Sequence, residues 1–178
     1  MNIQNKLYKV TLAAMFAALI FVATAFLMIP LPGKGYANFG DCFVILSALM
    51  LGPVCGAAAA GIGSAISDLS LGYGLYAPAT FIIKAAMGVV VALIYKYITK
   101  TGFRYNIVAV AISAFFAEVI MVLGYFVFEI FIFGVAVAVV DTLGNTVQGL
   151  VGLASGTVMF SALNKSGLIS KISSTDLR

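Results

Sequence analysis

Residues 7–29 read LYKVTLAAMFAALIFVATAFLMI, and Pro30 and Pro32 close the run. A helix crosses the hydrocarbon layer in about 20 apolar residues, so this stretch is long enough to span, and the two prolines, which lack a backbone donor, end it. Working outward, the next apolar run covers about Gly40 to Leu51 and is turned at Gly52-Pro53 into a second run reaching Leu71. The pair reads either as two short tilted spans or as a re-entrant hairpin, and both readings return its outer ends to one side. Pro78 is placed to begin a helix, where its missing N–H costs nothing. Two further runs follow, about 106–133 and 141–163, joined by a bridge over Val135–Val140. The expected architecture is an all-α integral membrane protein, a six-transmembrane-helix bundle over 1–178 as a single membrane domain. Its helices are expected at about 7–29, 40–51, 53–71, 78–98, 106–133 and 141–163, with a cytoplasmic tail at 164–178.

Composition agrees. Hydrophobic residues make up 63% and charged residues 9%, with mean hydropathy +1.15, leaving too little polar side chain to cover a water-soluble surface. Basic residues in short loops are retained in the cytoplasm. Lys6 and Lys9 precede the first run, Lys96, Lys100 and Arg104 lie between the fourth and fifth, and Lys165, Lys171 and Arg178 follow the last. Both termini are therefore expected to be cytoplasmic. The net charge of +4 belongs to these flanks, which meet anionic lipid headgroups, and does not indicate a nucleic-acid partner.

Polar residues within apolar runs are the guide to function, since each is costly in hydrocarbon. At 1.5 Å rise per residue, Lys84 lies about 9 Å below the start at Pro78, and Glu129 and Tyr125 about 6 and 12 Å below Phe133. Asn145 and Gln148 lie about 6 and 10 Å below Asp141. All five fall in one layer, with Asn38, Asp41, Asp68 and Tyr76 at its upper edge. These nine are the candidate substrate-binding residues. The plainer alternative is a structural ion pair between Lys84 and Glu129, with the amides bonded to neighbouring helices. Glu118 sits deeper and reads as a protonated, hydrogen-bonded core residue in preference to a proton relay.

Ala13, Ala14, Ala17 and Ala18 form two small-residue ridges on the first helix, a surface suited to close helix packing and to a membrane partner. There is no His, Cys42 and Cys55 have no metal-ligand spacing, and no G-x-x-x-x-G-K-[ST] phosphate loop occurs. No metal or cofactor is expected, and the chain carries nothing with which to hydrolyse ATP.

Asn38-Phe39-Gly40-Asp41, Gly52-Pro53, Gly61-Ile62-Gly63-Ser64 with Asp68, and Tyr76-Ala77-Pro78-Ala79-Thr80 with Lys84 and Gly88 together resemble the pattern of S components of energy-coupling factor (ECF) vitamin transporters. The likeness is greatest to the riboflavin-type group, which includes members handling hydroxymethylpyrimidine and pyridoxine. The resemblance implies a vitamin pocket facing outward beneath the first loop. It also implies docking through the alanine surface of the first helix to a transmembrane coupling subunit and two ATPase subunits, in the cell membrane of a prokaryote.

Three readings compete: the substrate-binding subunit of an ATP-driven importer, a self-sufficient secondary carrier, and an intramembrane enzyme. A carrier of this size shows no paired repeats with broken helices at the midplane, and an enzyme has no nucleophile–base pair at common depth. For the first reading, a small heteroaromatic with hydroxyls and ring nitrogens suits the polar set, a pyrimidine or pyridine vitamin precursor ahead of riboflavin. A phosphorylated ligand is disfavoured because the layer holds no arginine.

Overall fold

The computed structural model describes residues 3–100, 107–167 and 169. Five helices carry it: α1 Ile3–Phe26, α2 Gly40–Ser70, α3 Ala77–Thr99, α4 Ile107–Phe133 and α5 Val135–Lys165. Each contains a stretch long and apolar enough to cross a membrane, that of α1 being Leu7–Phe26. Hydrocarbon offers the backbone no water to bond, so the helix, which satisfies its own N–H and C=O groups, is the form such stretches take. Of the basic flanks, Arg104, Lys171 and Arg178 lie outside the described residues, as does Asn106.

The first departure from the sequence reading is at the end of α1, which stops at Phe26 instead of Ile29. Pro30 holds Ile29 in extended geometry, and residues Met28–Pro30 form β1, paired antiparallel with β2, Tyr36–Asn38, with Met28 opposite Asn38. Among the described residues the regular structure is all-helical apart from this small hairpin.

The second point, at α2, agrees with the expected turn at Gly52-Pro53. Gly52 has φ 79° and ψ −175°, a conformation that favours glycine, and Pro53 follows it, so helical hydrogen bonding is broken there. The two arms fold back on each other. The Ser47 hydroxyl donates to the Gly56 carbonyl at 3.3 Å, whereas a straight helix would hold these residues about 13 Å apart. A Cβ on Gly56 would come within 2.6 Å of the Ala48 Cα, so the missing side chain is what lets the arms close. The expected runs 40–51 and 53–71 are these arms, the second ending at Ser70.

The third corrects the bridge proposed for Val135–Val140, which is helical. Gly134, at φ 89°, bonds through its N–H to the carbonyls of Glu129 and Ile130 and ends α4, and α5 starts on the next residue. The β-branched run Val135, Val137, Val139 and Val140 hid the helix, because β-branched side chains have low helix propensity that packing overrides. Asp141 consequently lies in the second turn of α5 and not at its start.

Ile20, Ile45, Met87, Val91, Val110, Met121 and Phe160 fill the centre of the bundle, while Met15, Leu19, Phe115, Leu123, Val147 and Leu150 face outward. The hairpin, the 71–76 loop and the Gly134 turn gather at one end. The Gly52 turn, the end of α3 and the end of α5 lie at the other, following from the alternation of helix directions.

Candidate functional site

The cavity at the hairpin end is built by all five helices or the segments between them except α1. Asn38, Asp68, Tyr76, Tyr125, Glu129, Asn145 and Gln148 line it, together with Gly35, Tyr36 and Thr80. Seven of the nine candidates are thus brought to one chamber. The other two, Asp41 and Lys84, lie immediately behind it. The space available to water-sized molecules is about 20 Å³. A single water needs about 10–15 Å³ by the same measure, so this space holds one or two waters.

Behind the chamber, the alternative reading of Lys84 and Glu129 as a structural ion pair is not what the structure holds. The Lys84 ammonium is paired with Asp41 Oδ1, and the two residues are 2% and 0% exposed. Depth counted along a helix gives height in the bundle but not direction around it, so height alone does not say which carboxylate faces Lys84. Asp41 Oδ2 accepts from the Gln148 amide at 2.5 Å. Gln148 Oε1 in turn accepts from the backbone N–H of Asn38 at 2.9 Å and from its side-chain amide at 3.3 Å. Asn38 Oδ1 completes the chain by accepting from Gly40 N–H at 2.8 Å, at the start of α2. Buried polar groups are expected to be paired in this way. The Lys84 ammonium also lies 5.7 Å from the centre of the Tyr125 ring, and the Tyr125 hydroxyl is 3.0 Å from that of Thr80.

On the cavity wall, the Tyr36 hydroxyl donates to Asp68 Oδ1 at 2.5 Å and the Tyr76 hydroxyl to Glu129 Oε1 at 3.2 Å. Burial first, and the adjacent carboxylate next, push both phenols well above their ordinary range, so they remain protonated donors. Tyr76 also packs against Phe128 and Phe133, with ring centres 5.1 and 5.7 Å away.

The roof is the turn 31–35 between β1 and β2. The Asp141 carboxylate accepts from the N–H groups of Gly33, Lys34 and Gly35, each at 2.8 Å. A Cβ on Gly33 would collide with that carboxylate, so close approach of the backbone depends on glycine here. The sequence reading left Asp141, Gly35, Tyr36 and Thr80 out of the candidate set. Thr80 stood inside a quoted motif, and Gly33-Lys-Gly35 marks a tight turn; what tied Asp141 to that turn is a contact across more than 100 residues, which local pattern does not carry.

Glu118 is buried between α4 and α5 beside Gly149 and Gly152, and neither carboxylate oxygen has a hydrogen-bond partner. This corrects the expectation of a hydrogen-bonded core residue: the glycines that admit its carboxyl supply no side-chain donor. It lines a lateral groove and not the cavity. On α1, Ala13, Ala14, Ala17 and Ala18 all line an apolar groove shared with Val54, Ala58 and Ile62 of the second α2 arm. Ala14 and Ala18 are exposed, whereas Ala13 and Ala17 are half-buried against the bundle.

Residues 4–165 match the family described as ECF-type riboflavin transporter, S component. The chain belongs to that family. This S component is accordingly a multi-pass membrane transport subunit and not an enzyme; proteins of its kind bind small vitamin substrates and work with ECF modules. It is also 33% identical, over 138 residues, to a Pyrococcus woesei protein described as an uncharacterized protein in the gap 3' region, a match covering 77% of this S component and 88% of that chain.

Proposed function

We propose that this S component captures a small heteroaromatic vitamin or precursor, of the hydroxymethylpyrimidine or pyridoxine kind, for an ATP-driven ECF importer of a prokaryotic cell membrane. The observation that carries the reading is the convergence of polar side chains from separate elements on one chamber with aromatic walls, the usual composition of a small-molecule site. Ligand-contacting residues are Asn38, Asp68, Tyr76, Tyr125, Glu129, Asn145 and Gln148, while Asp41 and Lys84 hold the wall behind them.

The two arms of α2 count as separate crossings in this reading, giving six crossings in a single membrane domain, both termini in the cytoplasm and the chamber facing outward. The basic residues Lys9, Lys96, Lys100 and Lys165, at the helix ends remote from the hairpin, support that orientation. Docking to a transmembrane coupling subunit served by two ATPases is assigned to the Ala14–Ala18 ridge. Only 22% of the most apolar stretch of α1 is buried, against 50% for α2, which leaves α1 a free face.

Riboflavin is the second reading, favoured by the description of the matched family. Native mass spectrometry of protein purified in mild detergent identifies the co-purified small molecule and separates the two. A mass corresponding to a pyrimidine or pyridine vitamin supports the first, and a flavin mass overturns it. Glu129→Ala is expected to weaken binding of the identified molecule at least about tenfold, the loss of one charge-assisted hydrogen bond.

A further inference from the structure

Five of the protein's six Asp and Glu residues are buried, and Lys84 is the one buried cation among the described residues. In a membrane interior such an imbalance requires a physical account, because an unmatched carboxylate is costly there. Asp41 is matched by Lys84 and Gln148, Asp141 by three backbone N–H groups, and Glu118 lies off the chamber. Asp68 and Glu129 remain.

Both face the chamber, and they are 2% and 1% exposed. Each uses one oxygen to accept from a tyrosine hydroxyl. Each leaves the other oxygen, Asp68 Oδ2 and Glu129 Oε2, without a hydrogen-bond partner. The Thr80 hydroxyl on the same wall lies 3.0 Å from that of Tyr125 and also interacts with the Asp68 carboxylate. The rings of Tyr36, Tyr76 and Tyr125 stand on the same walls. Aromatic faces and carboxylates are the groups with which proteins hold organic cations, one through the ring quadrupole and the other through charge-assisted hydrogen bonds. An anion entering here would meet two carboxylates, and the only buried ammonium nearby is already paired.

Resting on the reading of this chamber as the ligand site, we propose that its ligand is a small aromatic amine, positively charged when bound, whose N–H groups reach Asp68 Oδ2 and Glu129 Oε2 while its ring lies among the three tyrosines. The carboxylates then select by charge within the heteroaromatic class. Neutral analogues lose the charge-assisted bonds, and phosphate esters are repelled.

The test uses the full chain in detergent and isothermal titration with 4-amino-5-aminomethyl-2-methylpyrimidine, whose side arm is an ammonium at neutral pH, its 5-hydroxymethyl counterpart, the phosphate ester of the latter, and riboflavin. The aminomethyl probe is expected to bind at least about tenfold tighter than the hydroxymethyl probe, and the phosphate ester not to bind. In the Asp68→Asn, Glu129→Gln double variant the ratio between the first two falls to about one. The ratio in the unaltered protein decides the matter even if that variant does not fold. Equal or tighter binding of the hydroxymethyl probe overturns the charge preference and leaves the ligand site standing, as does tight binding of riboflavin without binding of the aminomethyl probe. Binding of none of the four overturns the ligand-site reading and this inference together.

Discussion

The Lys84–Asp41 pair shows how a single residue in a membrane interior is committed by its surroundings. Removing one member of a buried ion pair leaves the other charge uncompensated, at a cost of about 3–5 kcal/mol. Lys84→Met is therefore expected to lower the thermal midpoint sharply in detergent, and adding Asp41→Leu to recover much of the loss. A midpoint unchanged in Lys84→Met would show that the pair does not hold the wall. Glu118 should behave in the opposite sense. Both its oxygens lack partners, so Glu118→Gln, neutral and of the same shape, is expected to match or exceed the stability of the parent in the same melting experiment. That Lys84, Asp41 and Gln148 need polar partners was legible in the sequence, because polar residues within apolar runs identify themselves. Their pairing was not, because it depends on how each helix is rotated about its axis.

Among the elements, the hairpin roof is held from outside its own segment. Asp141 accepts three backbone N–H bonds from the turn, and an asparagine in its place offers one side-chain oxygen and no charge. Hydrogen bonds to charged groups contribute about 1.5–3 kcal/mol. Asp141→Asn should therefore speed amide hydrogen exchange at Gly33, Lys34 and Gly35 by at least about tenfold, measured by mass spectrometry, while exchange within the helices stays as in the parent. Exchange at those three amides unaltered by the substitution would mean that the turn is held by its own hairpin. The sequence marked the end of the first run by Pro30 and Pro32 and marked the break at Gly52-Pro53. It misplaced the start of α5, since a valine-rich run is ambiguous until Gly134 is seen to turn the chain in one residue.

At the scale of the whole molecule, the helical membrane architecture was readable from run length and charge alone, while the shape of the chamber was not, because it arises from contacts between segments far apart in the chain. The two alanine ridges of α1 now have different standing. Ala17 packs toward the bundle, and the Gly63 position lies against its carbonyl, so enlarging it disturbs folding. Ala18 is exposed, and Ala18→Leu is expected to leave the melting midpoint within about 1 °C, as surface changes do, yet to reduce co-purification of ATPase subunits and vitamin uptake by cells. Retained co-purification would move the docking face elsewhere. The interior position of the acidic residues has an outward effect as well. With five of six acids withdrawn from the surface, the formal charge understates how cationic the protein looks to its surroundings: a phospholipid at its rim encounters lysines with almost no counter-charge, and an anionic leaflet should gather around it as a halo.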